Sequence, residues 1–316
     1  VLDGTAKAGA GSWFAFQPVE FPLMSNFCTK PAKGWLTDSV KKDGSPGQKL
    51  VFKRPASRLE APILIPCRKC LHCKQAKGLS WGYRIMHEAL LHDFCTFVTL
   101  TEDDAHHSGK LDKKMIQKFL HRFRKWLQKQ GYELRYALVG EHGEKTKRGH
   151  YHLMVFGVDL TQFGVSRSLV IGGDAAIHSV PHIEKLWGRG LVHVKPFIPE
   201  QAMYLGMHSV KAFLNDTPSF MLVSKVPGIG RGWIEKYLSD FDKGFATRDG
   251  GIKYSIPKHY LDWLCLKERL EPLKASRQKF ITALPKEQRE ESEQTAQGRE
   301  VNLRAKLALR RTGAKF

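Results

Sequence analysis

The sequence predicts an α+β fold, an antiparallel sheet with helices packed on one face. Three observations carry that expectation. Residues 94–101 (FCTFVTLT) are rich in β-branched and aromatic side chains, the composition of a buried strand. Met115, Ile116, Phe119, Leu120, Phe123, Trp126 and Leu127 form one apolar stripe at helical spacing, with Lys and Arg on the other side. Residues 134–139 and 153–156 are apolar runs joined by a polar, glycine-bearing connection, the pattern of an antiparallel hairpin.

Taken in order, the chain opens with 23 residues rich in Gly and Ala and without a clear period, before Met24. Gly34, Gly44, Pro46, Gly47 and Pro55 then punctuate residues 30–60, so 1–60 reads as an irregular or partly disordered lead-in, with 1–23 set aside from the fold. The folded domain is expected over 61–270. Residues 74–92 carry Leu79, Ile85, Met86, Ala89 and Leu90 at roughly helical spacing. After the strand at 94–101, a helix spans 112–130 and Gly131 stops it. The hairpin 134–156 follows, then a polar stretch near 157–190 read as an insertion. A short strand at 190–195 (GLVHVK) and a helix over 199–213 complete the order. Residues 271–316 are charged and poor in large apolar side chains, a tail in which Arg310 and Arg311 are candidate nucleic-acid contacts.

Charge narrows the function. Lys and Arg number 51 against 31 Asp and Glu, a net charge of +20, which points to a polyanionic partner and above all to nucleic acid. The excess is concentrated: between Lys110 and Gly149 there are 12 Lys/Arg and 4 Asp/Glu. No apolar run approaches the roughly 18 residues of a membrane span, and no secretory signal is apparent. Three of the six cysteines are packed as Cys67, Cys70 and Cys73. Reduced cysteines at a loop-to-helix junction are the favoured reading. Structural zinc is the alternative, with His72, Cys28 or Cys95 as the fourth ligand.

The most informative segment is VGEHGEKTKRGHYHLMVF, residues 139–156. His150 and His152 are two apart, so in a strand both rings point to one face. A hairpin would bring Glu141 beside them. Two imidazoles and one carboxylate with open positions form a catalytic metal set rather than a closed structural one. A bare H-x-H pair is also compatible with one buried and one solvated strand histidine.

Thr99-Leu100-Thr101 closing a strand, then Glu141 with His150-Tyr151-His152, then a helix carrying Tyr204 resembles the three-motif order of HUH endonucleases that initiate rolling-circle replication. PCRKCLHC (66–73), GEHGEKTKRGHYH (140–152) and PGIGRGWIEKY (227–237) resemble in particular the replication initiators of microviruses of the gokushovirus type. The resemblance covers most of residues 66–265 and implies an HUH/RRM-like palm. It also implies Mg²⁺ or Mn²⁺ on Glu141, His150 and His152, and Tyr204 as the nucleophile that forms a 5′-phosphotyrosine and leaves a free 3′-hydroxyl. The helix of this family often reads Y-x-x-x-Y with a lysine three residues later. Here Tyr204 and Lys211 match, but His208 stands in place of the second tyrosine. Single-stranded and replicative-form circular DNA, a host helicase, a replicative polymerase and the bacterial cytoplasm are implied in the same way.

The expected DNA contacts are Lys118, Arg122 and Lys125 on the basic helix face, Lys145, Lys147 and Arg148 in the hairpin connection, and Arg231. The glycines around Arg231 suit either a phosphate-binding helix start or a tight turn. Thr99 and Thr101 are expected to shape the sheet. Two other classes fit parts of the pattern: a non-catalytic, zinc-stabilised nucleic-acid-binding protein, and a non-haem iron oxygenase, which shares the two-His, one-carboxylate ligand set but calls for a double-stranded β-barrel.

Overall fold

The computed structural model describes residues 28–40, 44, 46–56, 63–143, 148–169, 176–210, 219–238, 246–248, 252–254 and 256–266. The predicted tail at 271–316 and the opening residues 1–23 lie outside these. Strands β4 (Cys95–Glu102), β5 (Arg135–His142) and β6 (Gly149–Phe156) form the centre of a seven-stranded sheet. Across the sheet the order is β10 (Phe220–Val223), β5, β6, β4, β9 (Gly190–Pro196), β8 (Ile177–Ser179) and β7 (Arg167–Leu169), antiparallel at every junction. The α+β class and the antiparallel sheet are as expected.

The helices cover both faces of the sheet, not the single face expected. The strand alternation shows why. Phe97, Ala137, Val139, Met154 and Phe156 pack under α1 (Leu71–Ala89) and α4 (Pro199–His208). Val98, Leu100, Leu138, Leu153 and Val155 point the other way, to α2 (Lys113–Lys129) and α3 (Pro181–Trp187). Central strands buried on both faces read as continuous apolar runs, which hides the second layer from a period-2 analysis. α2 begins at Asp112, whose carboxylate accepts hydrogen bonds from the amides of Lys114 at 2.8 Å and Met115 at 3.0 Å. It buries Ile116, Phe119, Leu120, Phe123 and Leu127, and Phe119 meets Trp187 of α3 edge-on at 5.7 Å.

Two segments differ from the sequence expectation. Residues 30–60 are not an irregular lead-in: β1 (Ala32–Val40) pairs with β2 (Pro46–Val51) and with β3 (Ile63–Ile65) in a separate three-stranded sheet. Gly34, which argued against a strand, sits within one because the Cδ1 atoms of Ile65 and Leu50 occupy the space of its missing side chain, 2.7 and 2.9 Å from where a Cβ would stand. The polar stretch near 157–190 is built into the domain as well. It supplies β7, β8 and α3, and buries Leu160, Val180, Ile183 and Trp187 in the core. Among the described residues no helix is long and apolar enough to cross a membrane.

The glycine motif at 227–237 resolves as a tight turn. Gly230 has φ +80° and its amide donates to the Glu88 carboxylate at 2.6 Å, so that N–H is already engaged. Arg84 Nε donates to the Ile229 carbonyl at 3.1 Å, and Arg135 donates to Glu88 and to the Pro227 carbonyl. The turn leads into α5 (Arg231–Lys236), and α6 (Lys258–Leu266) closes over it. Burial would push the Glu88 carboxyl up, but the Arg135, His92 and Gly230 hydrogen bonds bring it down to about 2 from 4.5. A depressed carboxylate contributes stability that is present above its unfolded value and lost as pH falls through the folded one. Denaturant unfolding should therefore show stability declining from about pH 4.5 towards 2, and Glu88→Gln should remove the Glu88 share of that dependence, leaving the part due to Glu141. Arg135→Met, which takes the guanidinium from the buried carboxylate and leaves it only His92 and the Gly230 amide, should cost ~3 kcal/mol at neutral pH.

α1 and α4 approach backbone to backbone through Gly78, Gly82 and Gly206. A Cβ on Gly206 would lie 2.7 Å from the Gly82 Cα and closer still to the Gly78 carbonyl oxygen and the Gly82 amide. Gly206→Ala should force the helices apart and destabilise the protein by roughly 1–3 kcal/mol or more, measured as a lowered denaturation midpoint. An unchanged midpoint would mean that the two helices are not in this contact.

Candidate active site

The β5–β6 register places Glu141 opposite His150 and Val139 opposite His152, while β4 sets Thr101 and Thr99 against the same two histidines. Directly paired residues share a face, so all of these functional side chains stand on the α1/α4 side of the sheet. Their contacts are specific. His152 Nδ1 meets the Thr99 hydroxyl at 3.3 Å and His150 Nδ1 the Thr101 hydroxyl at 3.2 Å. The threonines therefore orient the two rings, a role beyond the sheet-shaping expected of them, and direct the Nε2 edges away from the strand. That role was legible only once the β4–β6 register was known.

Glu141 Oε1 lies 3.3 Å from His152 Nε2, and Glu141 Oε2 accepts from His208 Nδ1. Burial would raise this carboxyl, but the hydrogen bonds and nearby charge of His152 and His208 hold it well below the usual carboxylate range. Glu141 is 5% and His152 7% exposed, whereas Tyr204 is 39% exposed, open to a large substrate. The Tyr204 hydroxyl lies 3.2 Å from His152 Nε2. Its ring stacks on His208 at 3.7 Å and meets His152 edge-on at 5.1 Å. His208 thus contacts Tyr204 through ring stacking and directs its Nδ1 to Glu141. On β9, His193 and Lys195 pair with Thr99 and Phe97 and join the same face, which sequence reading did not identify.

The Glu141, His150 and His152 side chains share a face but do not close on one point. The His150 and His152 ring centroids are 6.4 Å apart, and the carboxylate is shared between His152 and His208. Among the described residues, the one group of three or more His, Cys, Asp or Glu with all ligand atoms within 4.8 Å of one another is Cys28, Cys67, Cys70 and Cys73. This group could hold a metal ion. Cys28 is the fourth member; Cys95 turns its Sγ to the Ala89 carbonyl instead. Burial pushes the Cys67 thiol up, but the amides of Cys70 and Lys69, at 3.3 and 3.4 Å, and the neighbouring cysteines draw it down to about 7.

The basic residues divide by location. Arg148 directly precedes the His150 strand and pairs with Asp104. Lys118, Arg122 and Lys125 are exposed on α2, across the sheet from the histidines, and Arg122 donates to the Leu186 carbonyl at 2.9 Å. Arg231 is exposed on α5 and pairs with Glu235 at 3.0 Å. Lys145, Lys147 and Lys211 lie outside the described residues.

Residues 95–212 match the family model of replication-associated proteins of the ORF2 type. The replication-associated protein VP4 of Bdellovibrio phage phiMH2K is 26% identical over 249 residues, which cover 75% of this chain and 76% of that protein. The replication-associated protein ORF4 of Chlamydia phage 1 is 27% identical over 214 residues, 63% of this chain and 53% of its own length. The replication-associated protein ORF2 of Spiroplasma virus 4 is 26% identical over 215 residues, 62% and 66% of the two chains. No solved structure matches. Glu141, His150, His152, Tyr204 and His208 all fall within the matched segment, and over that segment the chain is similar to replication-associated proteins of phages.

Proposed function

We propose that this protein initiates rolling-circle replication by nicking and rejoining single-stranded DNA, with Tyr204 as the nucleophile. The observation that carries the proposal is the hydroxyl of the partly exposed Tyr204 3.2 Å from His152, on the face that holds Glu141 and His150. The tyrosine oxygen attacks a phosphodiester and releases its proton to solvent. A tyrosine O–P bond forms and the P–O3′ bond breaks, and the 3′ oxygen takes up a proton to become the free hydroxyl a polymerase extends. The phosphotyrosine conserves the bond energy, so a 3′-hydroxyl can reverse the step without ATP.

The donor set suits a divalent cation: Glu141 is held ionised, and each Nδ1 is engaged by a threonine so that Nε2 is the ligating nitrogen. Mg²⁺ or Mn²⁺ on Glu141, His150 and His152 would polarise the scissile phosphate and offset its developing charge, imidazole favouring Mn²⁺ and cellular abundance Mg²⁺. Zinc, the other metal of this reading, belongs to the four cysteines. The substrates are single-stranded and replicative-form circular DNA in the cytoplasm of a bacterial host, whose helicase and polymerase would extend the nick. Lys211 is proposed to position the phosphate. An open sheet covered by helices on both faces does not fit the oxygenase alternative, which needs a barrel.

Incubation with circular single-stranded DNA and Mg²⁺ or Mn²⁺ should give one covalent protein–DNA adduct, at the 5′ end of the cut strand. Tyr204→Phe should abolish it and His208→Ala should retain it. His150→Ala and His152→Ala should each abolish cleavage while leaving DNA binding largely intact. Full cleavage in excess EDTA, or DNA mapped by peptide analysis to another residue, would sink the proposal; cleavage-free DNA binding would favour the non-catalytic alternative.

Lys118, Arg122 and Lys125 are proposed to contact DNA that passes around the sheet, with Arg148, Lys145, Lys147 and Arg231 as further backbone contacts. Affinity for long DNA should fall with salt by about 0.7–0.9 log units per log unit for each phosphate neutralised. Replacing Lys118, Arg122 and Lys125 by Gln should flatten that slope for long DNA and leave cleavage of a short oligonucleotide unchanged. An unaltered slope would return this helix face to plain solvent exposure.

A further inference from the structure

We infer that Cys28, Cys67, Cys70 and Cys73 hold a structural zinc ion as a closed tetrathiolate, and that this ion fastens the β1–β3 sheet to the start of α1. The inference is independent of the nicking chemistry and rests on three observations.

The first is the arrangement of the sulfurs. A zinc ion with Zn–S bonds of about 2.3 Å in tetrahedral geometry sets its sulfurs roughly 3.8 Å apart. All four sulfurs lie within 4.8 Å of one another, and Cys28 Sγ is 4.0 Å from Cys70 Sγ. Four thiolates leave no open position, which marks a structural site rather than a catalytic one, and soft sulfur ligands in this number select zinc over magnesium or manganese.

The second is the backbone. Arg68 has φ +60°, a left-handed conformation that is unfavourable for a non-glycine residue. That turn aims the Lys69 and Cys70 amides at Cys67 Sγ, while the Cys67 amide donates to Cys28 Sγ at 3.1 Å. Amides directed at sulfur stabilise thiolates, the form that binds metal. The unfavourable turn at Arg68 is explained if those sulfurs are ligands.

The third is the small sheet itself. No described side chain of β1–β3 belongs to either hydrophobic core. Val40 and Leu50 are exposed on it, and so is Phe52 just after β2. A three-stranded sheet with none of its described side chains in either core calls for another staple. Cys28 lies just before β1, Cys67 just after β3, Cys70 caps α1 and Cys73 is in its first turn. One ion therefore binds both ends of the sheet to the helix that carries Gly78 and Gly82, the surface on which α4 and Tyr204 rest.

The full chain, purified without chelator, should carry one zinc per molecule by elemental analysis. Replacement with Co²⁺ should give the intense sulfur-to-metal absorption of a tetrathiolate. Cys28→Ser should lose most of the zinc, whereas His72→Ala and Cys95→Ser keep it. Cys73→His, which retains a ligand nitrogen, guards against loss through misfolding and should keep the zinc. Chelation should open residues 30–65 to proteases while the fragment from α1 to α4 persists. Metal-free protein with the four cysteines paired as disulfides by mass, iron in place of zinc, or full zinc in Cys28→Ser would each overturn the assignment.

Discussion

The position of Tyr204 depends on how close two helices can come. α1 and α4 meet where Gly78 and Gly82 face Gly206, which lies directly against their backbone. That approach holds α4 down on the sheet, so that Tyr204 and His208, one turn apart on its lower end, reach the edge where β4, β5 and β6 present their polar residues. A larger residue at Gly206 would lift the helix, because its Cβ would meet the Gly78 and Gly82 backbone. The histidines could remain oriented by Thr99 and Thr101, yet the tyrosine would no longer stand over them. The candidate face is thus built in two layers, Glu141, His150 and His152 set by strand register and Tyr204 set by helix packing.

Buried carboxylates show the same division between structure and chemistry. Glu88 is surrounded by donors from three parts of the chain, Arg135, His92 and the Gly230 amide, and it binds the 227–231 turn to α1. Glu141 is equally buried, but its partners are two histidines of the site itself. Glu102, at the same end of the sheet on the opposite face, has Arg189 Nε at 3.9 Å, and burial pushes its carboxyl up. Of the three, Glu141 alone couples a strongly ionised carboxylate to an exposed hydroxyl group.

Much of this was legible in the sequence. The stripe of α2, the β4 composition and the β5–β6 hairpin all depend on local periodicity, and their bounds shifted by only a few residues. What was missed depends on distance or register. The β1–β2 strands were hidden by Gly34 and by turn residues whose roles become clear only when Leu50 and Ile65 fill the space beside them. Cys28 was one candidate among three, because its partners lie 39 or more residues away. The helical layer on the second face was obscured because β4 is apolar in both directions. Thr99 and Thr101 were unremarkable until pairing set them against the histidines.

Under the proposed function, His208 at the place of a second tyrosine changes what α4 can do chemically. A tyrosine one turn after Tyr204 would offer a second hydroxyl for successive transfers. The histidine instead stacks on Tyr204 and donates to Glu141, which burial alone would push towards the neutral acid. A neutral acid offers a cation little; an ionised one is a ligand. In this arrangement position 208 carries a group that adds to His152 in holding the carboxylate charged and stacks on Tyr204. Under the proposed function, such a site would close a strand by reversing its own phosphotyrosine bond, with no tyrosine at position 208 to which a second strand could be passed. Any further exchange within one turnover would have to wait until Tyr204 is free again.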